Sequence, residues 1–368
     1  MRTRLFTAAA VLSGVVLAAS GCSAATIAET PAVTVTADLV SPLSALTVLD
    51  DAKDYSGLVQ AALPSSGILA PEEAPVQSLP VTVVSHDLAG DVPVTVSSTD
   101  RVISMDISGS IAATVAGLGM LDSLVARDIS TTFDEAADLP VITSNAHTVN
   151  SEAILALRPD LVLTDGSIGP IDVVLQLRDA GIPVVFVDTD PSIEGIAELA
   201  RQTAAALGVA AAGDALAAEL SATIEAKIAE IADIVPSGDR LRMMFLYLRG
   251  TSGIYYLFGQ ESGSDVLIDA LGGVDVAAEI GLEGMRPMTD EAMVAANPDL
   301  ILVMTGGLDS VGGVSGLLEA RPAVALTEAG KNQRFVEMDD GEILSFGPRT
   351  VTVLDALARA IYAPTSGS

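Results

Sequence analysis

The sequence predicts an α/β protein of two similar lobes with a central ligand cleft, joined by a long spine helix. Three observations carry that expectation. First, a passage of the chain occurs twice: Asn150 to Leu163 reads again as Thr289 to Leu302, and one constant offset superposes Glu152 on Glu291, Pro159 on Pro298 and Asp160 on Asp299. Each copy reads as a short helix, a Pro-Asp stop and an apolar strand. Second, strands alternate with helices through both halves, the order that gives parallel sheets. Third, Ala210 to Ile234 lies between the halves, with Leu216, Leu220, Ile224, Ile228 and Ile231 at helical spacing. At roughly 1.5 Å per residue such a helix is about 37 Å long, enough to cross the back of both lobes. The repeat unit is too long for a solenoid, and two facing lobes make a cleft where small ligands bind.

The elements follow in order. Arg2 and Arg4 form a positive start, Leu5 to Leu17 is apolar, and small residues lead to Cys22. This is the layout of a signal peptide over 1–22, too short and wrongly flanked to remain as a membrane span. Cys22 is the only cysteine. Its place after a small-residue cleavage site resembles the lipobox of bacterial lipoproteins, although Ala19 stands where Leu is usual. That resemblance implies lipidation of Cys22 and an extracytoplasmic chain anchored to the outer face of the cytoplasmic membrane. The plain alternative is an ordinary signal peptide with an incidental cysteine. The mature chain has no disulfide, so its stability comes from its core.

Residues 23–80 are rich in Ala, Thr, Ser, Pro and Val with little periodicity, and read as a flexible stalk with some helix between Leu46 and Ala62. The N-terminal lobe is expected over 81–208, the spine over 209–236 and the C-terminal lobe over 237–368. In the first lobe, Val81 to Val96 reads as a hairpin with its turn at Ala89 to Asp91, followed by a strand from Arg101 and a helix from Ser108 to Leu118. Strands at Leu161 and Val184 flank a helix from Ile171 to Ala180, whose first turn holds Asp172, and Ser192 to Leu207 is a further helix. In the second lobe, strands are expected at Leu241 to Leu248 and Leu300 to Met304, and helices at Asp265 to Leu271 and from about Arg349 to Ile361.

Composition narrows the function. The chain has 368 residues, half of them hydrophobic, enough for two lobes. Its net charge of −30 argues against nucleic acid and anionic surfaces as general partners, since both need a basic face. The acid excess is the ordinary one of a soluble, self-repelling surface, and a monomer is expected. No nucleotide-binding loop, Gly-x-Ser-x-Gly elbow or zinc-spaced His/Cys cluster is present, and Gly306-Gly307 and Gly312-Gly313 read as turn glycines. An enzyme is not expected.

Arg101 to Met105, Ile111 to Leu121 and the doubled Glu-x-x-x-x-x-x-Pro-Asp passage resemble the helical-backbone substrate-binding proteins that serve ABC importers for cobalamin, siderophores and haem. The resemblance covers about Val81 to Ala363 and says little by itself about the ligand. Two sets of residues bear on that choice. Of the two histidines, His86 falls on the outer hairpin and reads as surface. His147 lies in the polar loop Thr143 to Asn150, just before the first repeat copy, where loops after strands line the crevice of an open α/β lobe; a solvated loop histidine is the bland reading. Tyr247 and Arg249 end the first strand of the second lobe and share one face. A packed tyrosine beside a solvated arginine is the bland reading; a phenolate favoured by the neighbouring guanidinium is the functional one. Tyrosinate and histidine are both axial ligands of haem iron.

His147 with Tyr-x-Arg at 247 and 249 resembles the haemin-binding lipoproteins of Actinobacteria. The resemblance implies that His147 and Tyr247 hold the haem iron from opposite lobes, that Arg249 hydrogen-bonds Tyr247, and that Met304 lines the pocket; a core methionine is an equally good account of Met304. Tyr255 and Tyr256 are further residues for the cleft wall. Glu152 and Glu291 open equivalent helices, where an acid suits the helix dipole without any partner; the resemblance implies that they meet arginines on the importer permease. The chain is therefore expected to capture haemin and deliver it to an ABC importer. A ferric siderophore or cobalamin receptor is the alternative within the class, and a structural surface lipoprotein without a ligand is the alternative outside it.

Overall fold

The computed structural model describes residues 32–364 apart from 65–67, 69, 72, 145 and 146. The expected signal segment and Cys22 lie outside the described residues. The first two strands, β1 (Val33–Thr36) and β2 (Leu58–Ala62), belong to the sheet of the C-terminal lobe. They pair in parallel, and β2 lies beside a strand at Phe335–Met338, with Val59 opposite Val336. Val35, Val59 and Ala61 are buried there, and the fully buried Leu43 donates its N–H to Glu230 Oε1 at 2.5 Å. The flexible stalk expected over 23–80 is corrected for this stretch, and the end of the helix expected between Leu46 and Ala62 is strand. The reason is non-local: short strands of small residues carry little signal alone, and the partner that orders β2 is near the other end of the chain.

The N-terminal lobe begins with the hairpin β3 (Val81–Asp87) and β4 (Gly90–Val96). There follow β5 (Val102–Met105), α1 (Ser110–Gly117), β6 (Leu124–Ala126), α2 (Ser151–Leu157), β7 (Leu161–Thr164), α3 (Ile171–Asp179), β8 (Val184–Phe186) and α4 (Ile193–Ala206). Its sheet runs β6-β5-β7-β8, parallel throughout, and β5 and β7 are buried at every position. Helices on both faces explain why these strands are continuous apolar runs rather than alternating ones.

The long helix α5 (Ala210–Ile234) packs against α4 in the first lobe. The second lobe adds β9 (Arg242–Arg249), β10 (Ile254–Phe258), α6 (Ser264–Ala270), β11 (Val274–Asp275), α7 (Val276–Glu279), β12 (Met285–Pro287), α8 (Asp290–Ala296) and β13 (Leu300–Met304). It ends with α9 (Thr305–Asp309), α10 (Gly313–Ala320), α11 (Pro322–Ala325), α12 (Glu328–Lys331), β14 (Phe335–Met338) and α13 (Thr350–Tyr362). The eight-stranded sheet runs β1-β2-β14-β13-β9-β10-β12, with β11 also on β9. β10 and β12 are antiparallel additions; the rest pair in parallel. Leu220, Ile224 and Ile231 of α5 join α13 and one face of this sheet in a single core, while Leu216 also touches the core of the first lobe.

The sequence repeat is a structural repeat in detail. Asn150 and Thr289 each cap a seven-residue helix, accepting from the N–H of Ala153 and Ala292 at 3.1 Å. Arg158 and Asn297 end these helices in the left-handed conformation, with φ of 48° and 41°. The next aspartates each donate a backbone N–H at 2.8 Å, Asp160 to Arg101 and Asp299 to Arg242, which start the neighbouring strands in register.

Candidate ligand-binding site

The carboxyl ends of β9, β13 and β14 lie side by side, because these three strands are parallel and in register. Ligands of open α/β sheets bind at such ends. Met304 is opposite Met338, Tyr247 is opposite Tyr256, and Tyr256 is opposite Pro287. Since Leu302 pairs with Phe245, Met304 lies level with Tyr247 two residues on. Met338, Met304, Tyr247, Tyr256 and Pro287 thus make one stripe across a single face of the sheet. One row further in, Phe245 and Phe258 stack at 5.0 Å, and Tyr247 stacks on Phe258 at 5.6 Å. Phe258 thus supports the Tyr247 ring from within the core.

Arg249 continues the face of Tyr247. Its guanidinium carbon lies 4.5 Å from the Tyr247 ring centroid, an attractive cation–π geometry. Its Nη2 donates to Asp340 Oδ2 at 2.8 Å and its Nη1 to the carbonyl of Leu248 at 2.8 Å. The resemblance implied a hydrogen bond from Arg249 to the tyrosine; the geometry here is a guanidinium over the ring face.

His147 comes to this place from the first lobe. The charges that act on its imidazole are Arg249 and Asp340, which puts the three groups around one space. Burial lowers the His147 pKa, Arg249 lowers it further, and Asp340 works in the opposite direction. A neutral imidazole keeps the lone pair that a metal centre needs. His147 Nδ1 is buried without a hydrogen-bond partner among the described residues; leaving such an atom unpaired costs about 1–3 kcal/mol. The backbone of His147 is left-handed, with φ of 53°. Histidine adopts this conformation more readily than bulky residues, and strain of this kind collects at functional sites. A surface recess of about 620 Å³ on the same loop is lined by Val141 to Ser144 and Thr148 to Glu152, without Tyr247 or Arg249.

The lobes meet beneath this space. Ser110 Oγ is 3.4 Å from Ser345 Oγ, and Arg349 Nη1 donates to Thr132 Oγ1 at 3.2 Å while Nη2 donates to Glu342 at 2.6 Å. A side chain at Gly341 would place its Cβ 2.7 Å from the carbonyl of Ser130, so only glycine allows this approach. On the first-lobe side, buried Asp106 accepts from the N–H groups of Ser110 and Ile111 at 2.7 and 3.2 Å, and Asp128 accepts from Asp106 N at 3.0 Å. Burial raises both carboxyls, that of Asp128 to about 6.

The structure therefore brings His147, Tyr247, Arg249, Met304 and Tyr256 to one region and leaves the other candidates outside it. Tyr255 faces the opposite side of the sheet, 3.8 Å beneath Arg321. His86 stays on the hairpin, 3.0 Å from Asp91. Glu152 and Glu291 are exposed in the first turns of α2 and α8. Asp340 was missed in the sequence. The one signal for it was its position, two residues past a strand that itself went unrecognised.

Comparison with known proteins supports this fold. Residues 107–341 match the family described as periplasmic binding protein. The solved structure of the haem-binding protein HmuT is 37% identical, with a TM-score of 0.79 over 85% of this chain and 99% of that one. A cobalamin-binding protein of Halobacterium salinarum is 29% identical over 73% of this chain and 71% of its own length. The uncharacterised ABC transporter substrate-binding lipoprotein YvrC of Bacillus subtilis is 27% identical over 78% of this chain and 88% of its own. Among the described residues no helix is long and apolar enough to cross a membrane. The chain belongs to the periplasmic binding protein family, extracytoplasmic substrate-binding proteins of ABC importers rather than enzymes.

Proposed function

We propose that this chain captures haemin between its lobes and delivers it to an ABC importer. The observation that carries this reading is the convergence of His147 from one lobe with Tyr247 and Arg249 from the other. Imidazole and tyrosinate are both axial ligands of haem iron, and tyrosinate, a hard anion, suits the ferric state. Met304 and Tyr256, partly exposed beside Tyr247, offer an apolar wall for a porphyrin face. The solved HmuT structures include alanine variants of a histidine, a tyrosine and an arginine. The tyrosine and arginine there are two positions apart, as Tyr247 and Arg249 are here. Haemin added to the purified protein is expected to give a sharpened Soret band with a charge-transfer band. Tyr247→Ala should shift both bands, and His147→Ala should shift the Soret band. If neither substitution alters the spectrum, these two residues are not the ligands; if haemin leaves the wild-type spectrum unchanged, the ligand is not haem. The similarity to a cobalamin-binding protein favours cobalamin as the second reading, and a parallel cobalamin titration decides between them.

Delivery needs an anchor and a docking face. Lipidation of Cys22 is part of this proposal, supported by the lipoprotein relative; Cys22→Ala should release the protein from cell membranes. Glu152 and Glu291 are proposed to meet cationic groups on the permease. One turn along each helix an aliphatic residue is also exposed at the equivalent place, Leu155 at 43% and Val294 at 47%. Acids placed in this way set orientation and encounter rate more than affinity. The double variant Glu152→Ala, Glu291→Ala should bind haemin normally and lower uptake by cells; unaltered uptake at wild-type protein levels would remove the docking role. The protein is proposed to act as a monomer.

A further inference from the structure

Arg249 is the last residue of β9, and a long cation at a strand end ordinarily samples many rotamers in water. Here it is held at three points: the carbonyl of Leu248, the carboxylate of Asp340 and the face of Tyr247. Asp340 is itself fixed, because its second oxygen accepts from the N–H of Gly306 at 2.8 Å. Both of its oxygens are thus committed, one to the start of α9 and one to the arginine. The glycine pair at the start of α9 makes the room. A Cβ at Gly306 would lie 3.1 Å from Asp340 Oδ1, and one at Gly307 would lie 2.9 Å from the carbonyl of Leu248 and 3.2 Å from Arg249 Nη1. The ion pair is about one-third exposed on each side, so its charge alone contributes little to stability. What it supplies is geometry.

We propose that Asp340, seated against Gly306-Gly307, is a positioning residue that locks Arg249 over the Tyr247 ring and so presets the tyrosine for ligand capture. The inference rests on the haemin reading for the identity of the ligand. Presetting matters because each side chain that must be immobilised on binding lowers affinity, by up to roughly tenfold. Asp340 touches no ligand in this scheme; it acts through Arg249.

The test separates the clamp from the ligand. The chain has five tyrosines, so 3-fluorotyrosine labelling gives few fluorine signals, and Tyr247→Phe assigns the one at 247. In the ligand-free protein, Asp340→Ala and, independently, Gly307→Ala should move that signal toward the position of free fluorotyrosine, and Asp340→Glu should restore part of the shift. In haemin titrations, Asp340→Ala should weaken binding roughly tenfold and broaden the charge-transfer band. A fluorine signal unmoved by both substitutions overturns the clamp. A moved signal with wild-type haemin affinity and bands overturns its role in capture. Wild-type protein that binds no haemin overturns the ligand reading instead, and the fluorine signal then decides the clamp alone.

Discussion

Glu337 stands on β14 with 7% of its surface exposed, and burial, with Asp309 nearby, raises its carboxyl to about 7. The folded state therefore holds a proton that the unfolded chain releases at the ordinary glutamate value near 4.5. The stability this group contributes is fully present below that value and is lost as pH rises to about 7. Glu337→Gln should flatten this part of the pH profile and raise stability at pH 8 by about 3 kcal/mol. Thermal unfolding at pH 5 and pH 8 checks it, and an equal gain at both would mean the carboxyl is not titrating in that window. The two histidines make the same point about environment. His86 and His147 are alike in sequence terms, each in a polar stretch. One rests against an exposed aspartate; the other is half-buried near Arg249, its Nδ1 without a hydrogen-bond partner among the described residues.

At the scale of elements, the two copies of the repeat owe their shape to local chemistry. Asn150 and Thr289 supply the N-caps of α2 and α8, and the same Pro-Asp stop follows each. Replacing either cap by alanine should cost about 1 kcal/mol. The caps sit on different lobes, so the double variant should cost the sum, as urea unfolding can measure. A markedly larger loss would show that one of these helices is coupled to the lobe contact. β1 and β2 contrast with these helices. They carry little pattern of their own and exist because β14 offers an edge. The same sheet placed Tyr256 beside Tyr247 and turned Tyr255 away under Arg321, a choice set by strand pairing.

At the scale of the molecule, one charged network ties the N-terminal segment, the spine and the last helix together. Asp355 has no exposed surface, accepts from Lys227 Nζ at 2.9 Å and Arg359 Nε at 2.6 Å, and takes the N–H of Asp38 at 2.9 Å. Removing one partner of a buried ion pair strands the others. Asp355→Ala should therefore cost on the order of 3–5 kcal/mol. The loss should appear in equilibrium unfolding as a lower midpoint, and a change below about 1 kcal/mol would show that water reaches Lys227 and Arg359 readily. The network also accounts for the order of residues 33–62, because Arg359 donates to the carbonyls of Asp38 and Ser41.

The sequence by itself determined the α/β class, the duplicated lobe, the length of the spine helix and the residues worth watching. These rest on signals that are local or periodic: caps, the Pro-Asp stops, apolar spacing and the Tyr-x-Arg alternation. Residue types and short spacings keep their meaning wherever the chain goes. Only the tertiary structure decided that residues 33–62 join the C-terminal sheet, that Gly306-Gly307 are spacers for an ion pair, and that Asp340 belongs with Arg249. Each of these depends on strands or loops far apart in the chain meeting at one sheet edge. Such meetings are set by long-range pairing and burial, which no window of neighbouring residues encodes.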